Sequence, residues 1–294
     1  MVVCMDHVGA TKWAIKYCEE LIRHGIKNTD MVYFSSDISR ILINARSRFG
    51  VKSKKDINQF LGILINQFKI FFGREGTILV PVFSWEFCRS NYFDINKTLG
   101  EVGLLGNWIL ENDSDFIRTS HPIYSFMVYG VEAKKILSID SHDGWGKDSV
   151  FDYLYNKHAK NILIDVSLEE SFTFSHHVEK MIGVPFRYNK DFEGIYIDIH
   201  GKTSKRIYSM YVRDLDIISR QRTDNKYLQD KGVARIYTFE EGLDVQIVDL
   251  FLSYEIIEKN LKYDMASAWY CFHEYTYKYG DTPTHKYEIK SMNK

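Results

Sequence analysis

Apolar residues recur at helical spacing in several long stretches of the chain, and short, densely apolar runs separate them. Ala14, Ile15, Cys18, Leu21 and Ile22 mark one side of a helix over residues 11–25, which Gly25 ends. Ile57, Phe60, Leu61, Leu64, Ile65, Phe68 and Phe71 do the same over 56–72. Between and after them lie three strand-like runs: Asp30 to Ser35, Gly76 to Phe83, and Asn161 to Val166. The first ends in the hydroxyls Ser35 and Ser36, which lead either to a ligand site or to a turn capping the next helix at Asp37 or Ser39. Alternating helix and strand predicts an α/β fold, with a central, mostly parallel sheet covered by helices.

The middle of the chain is less regular. Trp85, Phe87, Tyr92, Phe93 and Trp108 are scattered among polar residues, as in a long loop region over a site. Further helices are predicted at Leu104–Leu110, Val131–Leu137 and Val150 to about Lys157, and a strand leads up to Gly130. Beyond Pro185 the period changes to two. Ile195–His200 and Ile207–Val212 alternate across a His200–Ser204 turn, which predicts an antiparallel hairpin. Two more strands, Arg235–Phe239 and Leu243–Val248, flank Gly242. A helix is expected over 223–233 and another from Ser253 to Cys271; a polar tail begins at Tyr279. With no repeat or low-complexity linker, residues 1–294 read as one domain, with an antiparallel addition at about 191–250.

One stretch concentrates polar groups where a buried strand ends. Residues 171–185 read as a short helix that Thr173 can cap, Gly183 can stop and Pro185 cannot continue. His176 and Glu179 are three apart and share a face. A histidine with a carboxylate beside it suits a general base with an orienting partner. Spacing alone equally fits a structural histidine and a solvated glutamate.

Composition narrows the setting. The 294 residues are 45% hydrophobic and 26% charged, with a net charge of -1 and a pI near 6.8. No charge excess recruits nucleic acid or an anionic membrane, and no apolar run is long enough to span one. The 20 Tyr and 19 Phe serve first as core, and their flat faces also suit a sugar or a nucleobase. Cys4, Cys18, Cys88 and Cys271 have neither CxxC nor metal-ligand spacing, and read as small buried residues in a reducing cytoplasm. The N-terminus lacks a signal-peptide pattern. Glycine-rich phosphate loops, HExxH and GxSxG are absent. His176 and His177 point about 100° apart on a helix and do not share a metal, so no metal is expected.

Four stretches together carry a resemblance: Val32–Ser36, Gly76–Phe83, Arg118-Thr-Ser120-His121-Pro122 with Ser125 and Gly130, and Thr173-Phe-Ser-His176-His-Val-Glu179. In order and approximate spacing, over roughly residues 10–190, they are similar to the aminoglycoside 3-N-acetyltransferase family, whose fold is not that of the GNAT acetyltransferases. The resemblance implies acyl transfer from a coenzyme A thioester to an amine on a sugar. It implies His176 as the base, Glu179 and Thr173 as its supports, and His121 as a second catalytic candidate whose alternative is a turn histidine. Ser35, Ser36, Arg118, Ser120 and Ser125 are the candidate coenzyme A contacts. The oxyanion is expected to meet backbone N–H groups near Ser35–Ser36 or at the start of the 174–183 helix.

The later half carries Arg187, Tyr188, Lys190, Arg206, Arg213, Arg220 and Arg222. These suit a diphosphate and a base, and the resemblance extends to relatives that acylate sugar nucleotides for surface polysaccharides, so it implies a nucleotide-linked aminosugar as the expected acceptor. Aminoglycoside resistance is the alternative within the class. Outside it stand a non-catalytic sugar-binding or assembly subunit and a metal hydrolase using His121, His176 and Glu179. The expected partner is a small aminosugar, and self-association is compatible with the sequence.

Overall fold

A computed structural model of the chain describes residues 4–73, 75–221, 226–281 and 288–290. Arg222, one of the basic residues singled out above, lies outside them. Its organising element is β1 (Met31–Ser36), whose first five residues are all buried. A strand buried on both faces must have a core on each side. Val32 and Phe34 point into one core, and Met31 and Tyr33 into the other. The same split holds for Ile78 and Val80 against Leu79 in β2 (Thr77–Pro81), and for Ile162 and Ile164 against Leu163 in β6 (Lys160–Ile164).

The first core is covered by α1 (His7–Arg23), α2 (Ser39–Phe49), α3 (Lys54–Phe72) and, past the short α4 (Glu86–Ser90), α5 (Leu104–Asn112). Ser53 caps α3 in a reciprocal box with Asp56. The second core lies under α7 (Val150–Asn156), α9 (Ser175–Ile182) and α11 (Leu250–Tyr263). Two short helices, α6 (Ala133–Leu137) and α8 (Leu168–Ser171), and α10 (Lys226–Asp230) complete the helical set among the described residues. The remaining strands are β3 (Tyr92–Asp94), β4 (Ile117–Arg118), β5 (Phe126–Gly130), β7 (Arg187–Ile197), β8 (Thr203–Arg213), β9 (Ser219–Gln221), β10 (Ala234–Phe239), β11 (Leu243–Asp249), β12 (Tyr270–Phe272) and β13 (Glu288–Lys290).

The main sheet runs β10-β11-β6-β1-β2-β5-β4. Only its centre, β6-β1-β2, is parallel. Both flanks pair antiparallel, which corrects the mostly parallel sheet expected from the sequence. The connections explain it. Glu240–Gly242 is too short to cross over between β10 and β11, and a connection that short can only return the chain antiparallel. The β7–β8 hairpin forms as the alternation predicts, pairing Arg187 with Arg213 through to Ile197 with Thr203. It belongs to a second sheet with β3 and β13. The other strands of the expected C-terminal addition, β10 and β11, instead extend the main sheet.

The predicted helix from Ser253 to Cys271 also stops early. α11 ends at Tyr263; Met265 and Ala266 take positive φ angles of 52° and 57°, and the chain turns into β12. The buried Ala266, Trp269 and Tyr270 kept the apolar periodicity going in sequence, but they reach the core from a new direction. Of the four cysteines, Cys18 and Cys88 are buried as expected, whereas Cys4 and Cys271 are exposed. Among the described residues no helix is long and apolar enough to cross a membrane.

Gly106 seats α5 against the end of β2. A Cβ there would stand 2.2 Å from the Pro81 carbonyl oxygen, so G106A must push the helix off the strand. Overpacking of this kind costs about 1–3 kcal/mol. The urea midpoint of G106A is expected to fall accordingly; an unchanged midpoint would mean that α5 is not seated at that distance.

Candidate active site

The parallel strands β1, β2 and β6 end on the same side of the sheet, which is where open α/β sheets place ligands. A small cleft of about 80 Å³ lies there. Tyr33, Ser35, Ser36 and Phe83 border it from the sheet side, Gly103 and Leu105 from the start of α5, and Glu170, Ser171 and Thr173 from the chain that follows β6. Ser35 is buried: its Oγ donates to the Ser171 carbonyl at 3.3 Å and accepts from Asn161 Nδ2 at 3.2 Å. Ser36 is half-buried at the cleft wall.

Thr173 does not cap α9. The cap position is Phe174, and Thr173 Oγ1 instead pairs with the buried Tyr33 hydroxyl at 2.7 Å. A tight turn already serves the helix start, since Ser175, His176 and His177 donate their N–H groups to the carbonyls of Phe172, Thr173 and Phe174. These amides are therefore spent inside the chain, which corrects their expected use as oxyanion donors. Gly183, at φ 69°, closes α9 as expected.

His176 and Glu179 do meet. Nδ1 of His176 lies 2.9 Å from Oε2 of Glu179. Glu179 is fully buried, and the His176 side chain is 26% exposed. Glu179 has two further partners. Tyr270 donates its hydroxyl to Oε1 at 2.6 Å. Arg187 brings Nε within 2.7 Å of Oε2, a charge contact whose N–H does not point straight at the oxygen. Burial by itself would raise the Glu179 pKa; Arg187, His176 and Tyr270 outweigh it and hold the carboxyl below its usual range. An ionised Glu179 accepts the Nδ1 proton, so Nε2 of His176 carries the lone pair. Burial and then the Arg187 charge lower the His176 pKa, against the pull of Glu179. The result is a neutral imidazole with one nitrogen fixed and the other basic.

The neighbours of α9 hold this geometry. His177 is buried and donates Nδ1–H to the Trp145 carbonyl at 2.6 Å. Trp145 stands edge-on to the His176 ring, 5.4 Å between centroids. Lys180 joins the same loop through Asp143 at 2.8 Å. His177, read from sequence as a mere neighbour, thus ties down the tryptophan against which His176 rests.

The Arg118 block serves the scaffold. Arg118 is buried; its guanidinium donates to Ser125 Oγ and to the carbonyls of Ile95, Thr98 and Val82, and stacks 4.8 Å from the Phe93 ring. Burial lowers its pKa to about 10. Ser125 is fully buried and donates to Val82 O. Ser120 donates to Ile139 O at 3.0 Å. His121 is buried, with Nδ1 accepting from the N–H groups of Ile123 and Tyr124 at 3.2 and 3.1 Å, and burial lowers its pKa to about 4. Arg118, Ser120 and Ser125, the candidate coenzyme A contacts, thus have partners within the chain, and His121 takes the turn-histidine arrangement given as its alternative.

The basic residues expected to meet a diphosphate are likewise engaged. Arg187 serves Glu179, Arg206 reaches Asp140 and the Tyr208 hydroxyl, and Arg213 donates to Ser219 O. Arg220 is exposed and 4.0 Å from Glu169. Among the described residues no three His, Cys, Asp or Glu side chains stand close enough to hold a metal ion. Two members of the site were missed in sequence. Arg187 stood only among the basic residues of the later half, although its place just after α9 was a usable signal. Tyr270 sat inside a predicted helix and gave none.

Known proteins match this chain in family and in fold. A family profile described as aminoglycoside 3-N-acetyltransferase matches residues 53–249, two thirds of the chain. No curated protein matches the sequence. Aminoglycoside acetyltransferase AAC(3)-Xa is similar in fold at 16% identity with a TM-score of 0.67, over 87% of this chain and 96% of the other. AAC-IIIb in its binary complex with CoASH gives 16% and 0.64, over 84% and 95%. AAC-VIa bound to sisomicin gives 16% and 0.61, over 83% and 95%.

Two measurements follow from the site. His121, His176 and His177 all have pKa values lowered by burial, so the unfolded chain binds their protons more readily than the folded one. Their contribution to stability is complete above the unfolded value of about 6.5 and is lost as pH falls below it; Glu179 adds a further loss below the ordinary carboxylate range. The urea midpoint is therefore expected to drop steadily from pH 7 to pH 5, and a flat profile would contradict the buried neutral histidines. E179Q leaves Arg187 buried without its counter-charge. It is expected to cost about 3–5 kcal/mol in urea unfolding, against a negligible loss if the contact with Arg187 is incidental.

Proposed function

The chain belongs to the aminoglycoside 3-N-acetyltransferase family, an acyl-coenzyme A-dependent class of enzyme, and on that premise we propose that it acetylates an amine of an aminoglycoside-type aminosugar. The observation that carries this reading is the His176 imidazole, with Nδ1 engaged by a buried carboxylate and Nε2 left basic. An aminosugar amine is largely protonated near neutral pH and has no lone pair to attack with. In the proposed step the ammonium first gives up one proton to solvent, and Nε2 takes a second from the nitrogen as it attacks the thioester carbonyl. The C–N bond forms, the C–S bond breaks, and the thiolate leaves and takes up the proton, restoring the neutral imidazole.

Glu179 is assigned the orientation and charge support of His176. Thr173, bound to Tyr33 at the cleft wall, and Ser36 are the proposed contacts with the thioester-bearing arm; Ser35 supports them through Ser171. The structure of AAC-IIIb with CoASH supports this donor, and that of AAC-VIa with sisomicin supports this acceptor class. The nucleotide-linked acceptor expected from the basic residues gives way to this one, because the family model and the sisomicin-bound neighbour favour an aminoglycoside and Arg187 is held by the buried Glu179.

Thiol release from acetyl-coenzyme A, with sisomicin and a uridine diphosphate-linked aminosugar as separate acceptors, tests the proposal. Release with sisomicin alone is expected. H176A is expected to lower kcat by roughly 10²–10⁴-fold while calorimetry still shows CoASH binding. Full turnover in H176A would remove the base from His176. Release with the nucleotide sugar alone would reinstate that acceptor, and no release with any amine would favour a binding subunit.

A further inference from the structure

The family match ends at residue 249, yet one of the three groups on Glu179 comes from beyond it. Tyr270 lies on β12, which reaches the site because the chain breaks out of α11 at Met265 and Ala266. β12 is pinned by pairing with β9, Tyr270 opposite Gln221. The Tyr270 ring packs on Phe186 and Phe272, at 5.0 and 5.6 Å between centroids. Such packing leaves the hydroxyl little freedom, and it lies 2.6 Å from Oε1 of Glu179. The other oxygen serves His176 and Arg187. A carboxylate with only Oε2 engaged could rotate about its last bond and swing away from the imidazole. With Oε1 engaged from the opposite side it cannot.

We propose that Tyr270 is a positioning residue for the acyl transfer: its hydroxyl, acting with Arg187, locks the Glu179 carboxylate in the one orientation that keeps the His176 proton on Nδ1 and Nε2 free. This rests on the assignment of His176 as the base. Charged and titratable groups face the pair from every packed element. Arg187 and Tyr211 come from the β7–β8 hairpin, Tyr270 and Tyr277 from the C-terminal segment, and Lys180 with its partner Asp143 from α9 and the loop before α7. Of the tyrosines, Tyr270 donates to the carboxylate itself, whereas the Tyr211 hydroxyl faces the backbone carbonyl of Glu179 at 3.4 Å and Tyr277 donates to Leu261 O. A tyrosine donor also drains charge from the carboxylate. A stronger donor at that position drains more, weakens Glu179 as partner of the imidazolium and lowers His176 protonation.

The test is Y270F in the full chain, read by 15N NMR of the histidine rings without substrate and by thiol release with acetyl-coenzyme A and sisomicin. The native protein is expected to show His176 protonated on Nδ1. Y270F is expected to show mixed tautomers and a kcat lower by about tenfold at unchanged KM for acetyl-coenzyme A. Y277F, which removes a buried hydroxyl bonded elsewhere, is expected to leave the His176 tautomer and midpoint in place. Should Y270F fail to fold, 3-fluorotyrosine at position 270, a stronger donor of nearly the same shape, is expected to keep the proton on Nδ1 and to lower the His176 titration midpoint. A native tautomer and kcat in folded Y270F, or no shift with the fluorinated residue, would overturn the proposal. The nitrogen readout needs no acceptor, so failure of the native protein to acetylate sisomicin would count against the acceptor alone.

Discussion

A carboxylate with no solvent contact is the constraint around which this molecule is arranged. Glu179 is fully buried, and burying a charge is unfavourable unless partners replace the water it loses. Three do so, from three parts of the chain: His176 one turn away on its own helix, Arg187 from the second sheet, and Tyr270 from the C-terminal segment. Each needs a different piece of tertiary structure in place. The charge thus couples a short helix, a hairpin and a terminal strand whose sequence positions span about ninety residues, and it does so at the point where the chain offers a basic nitrogen.

The sheet supplies the rest. Its parallel centre is buried on both faces, so β1 and β6 have nowhere to end except at the rim, where the last residues of β1 and the chain that follows β6 become the cleft wall. Asn161, Ser35 and Tyr33 link the two strands to the Ser171–Thr173 turn through hydrogen bonds under that wall. Arg118 plays the matching part on the far side, holding the segments at Val82, Ile95 and Thr98 together from within. The polar residues gathered by the sequence motifs thus divide into one group that frames the cleft and one that stiffens what surrounds it. Residue type does not separate these groups; direction of the side chain does.

Local pattern carried a good deal of this architecture. The helices at 7–23 and 54–72, the strands at 31–36, 77–81 and 160–164, the β7–β8 hairpin and the helix that ends at Gly183 all follow from periods and stop signals that neighbouring residues set. The His176–Glu179 contact was legible too, because residues three apart on a helix are neighbours in any fold. The motif order was legible as family membership.

Directions and partners were not. The flanks of the main sheet run antiparallel because of where short connections return the chain, which strand periodicity does not encode. Arg118 and His121 read as ligand-facing, and the packing turned them inward to satisfy backbone groups. Arg187 read as one of several cations suited to a diphosphate and became the counter-charge of Glu179. Tyr270 continued a helical period until two residues with positive φ redirected the chain. By itself the sequence determined the elements, the helix that carries the dyad and the family, since these depend on residues close in the chain. Only the tertiary structure decided what Glu179 binds, because the free energy of a buried charge is set by groups that meet in space and are far apart along the chain.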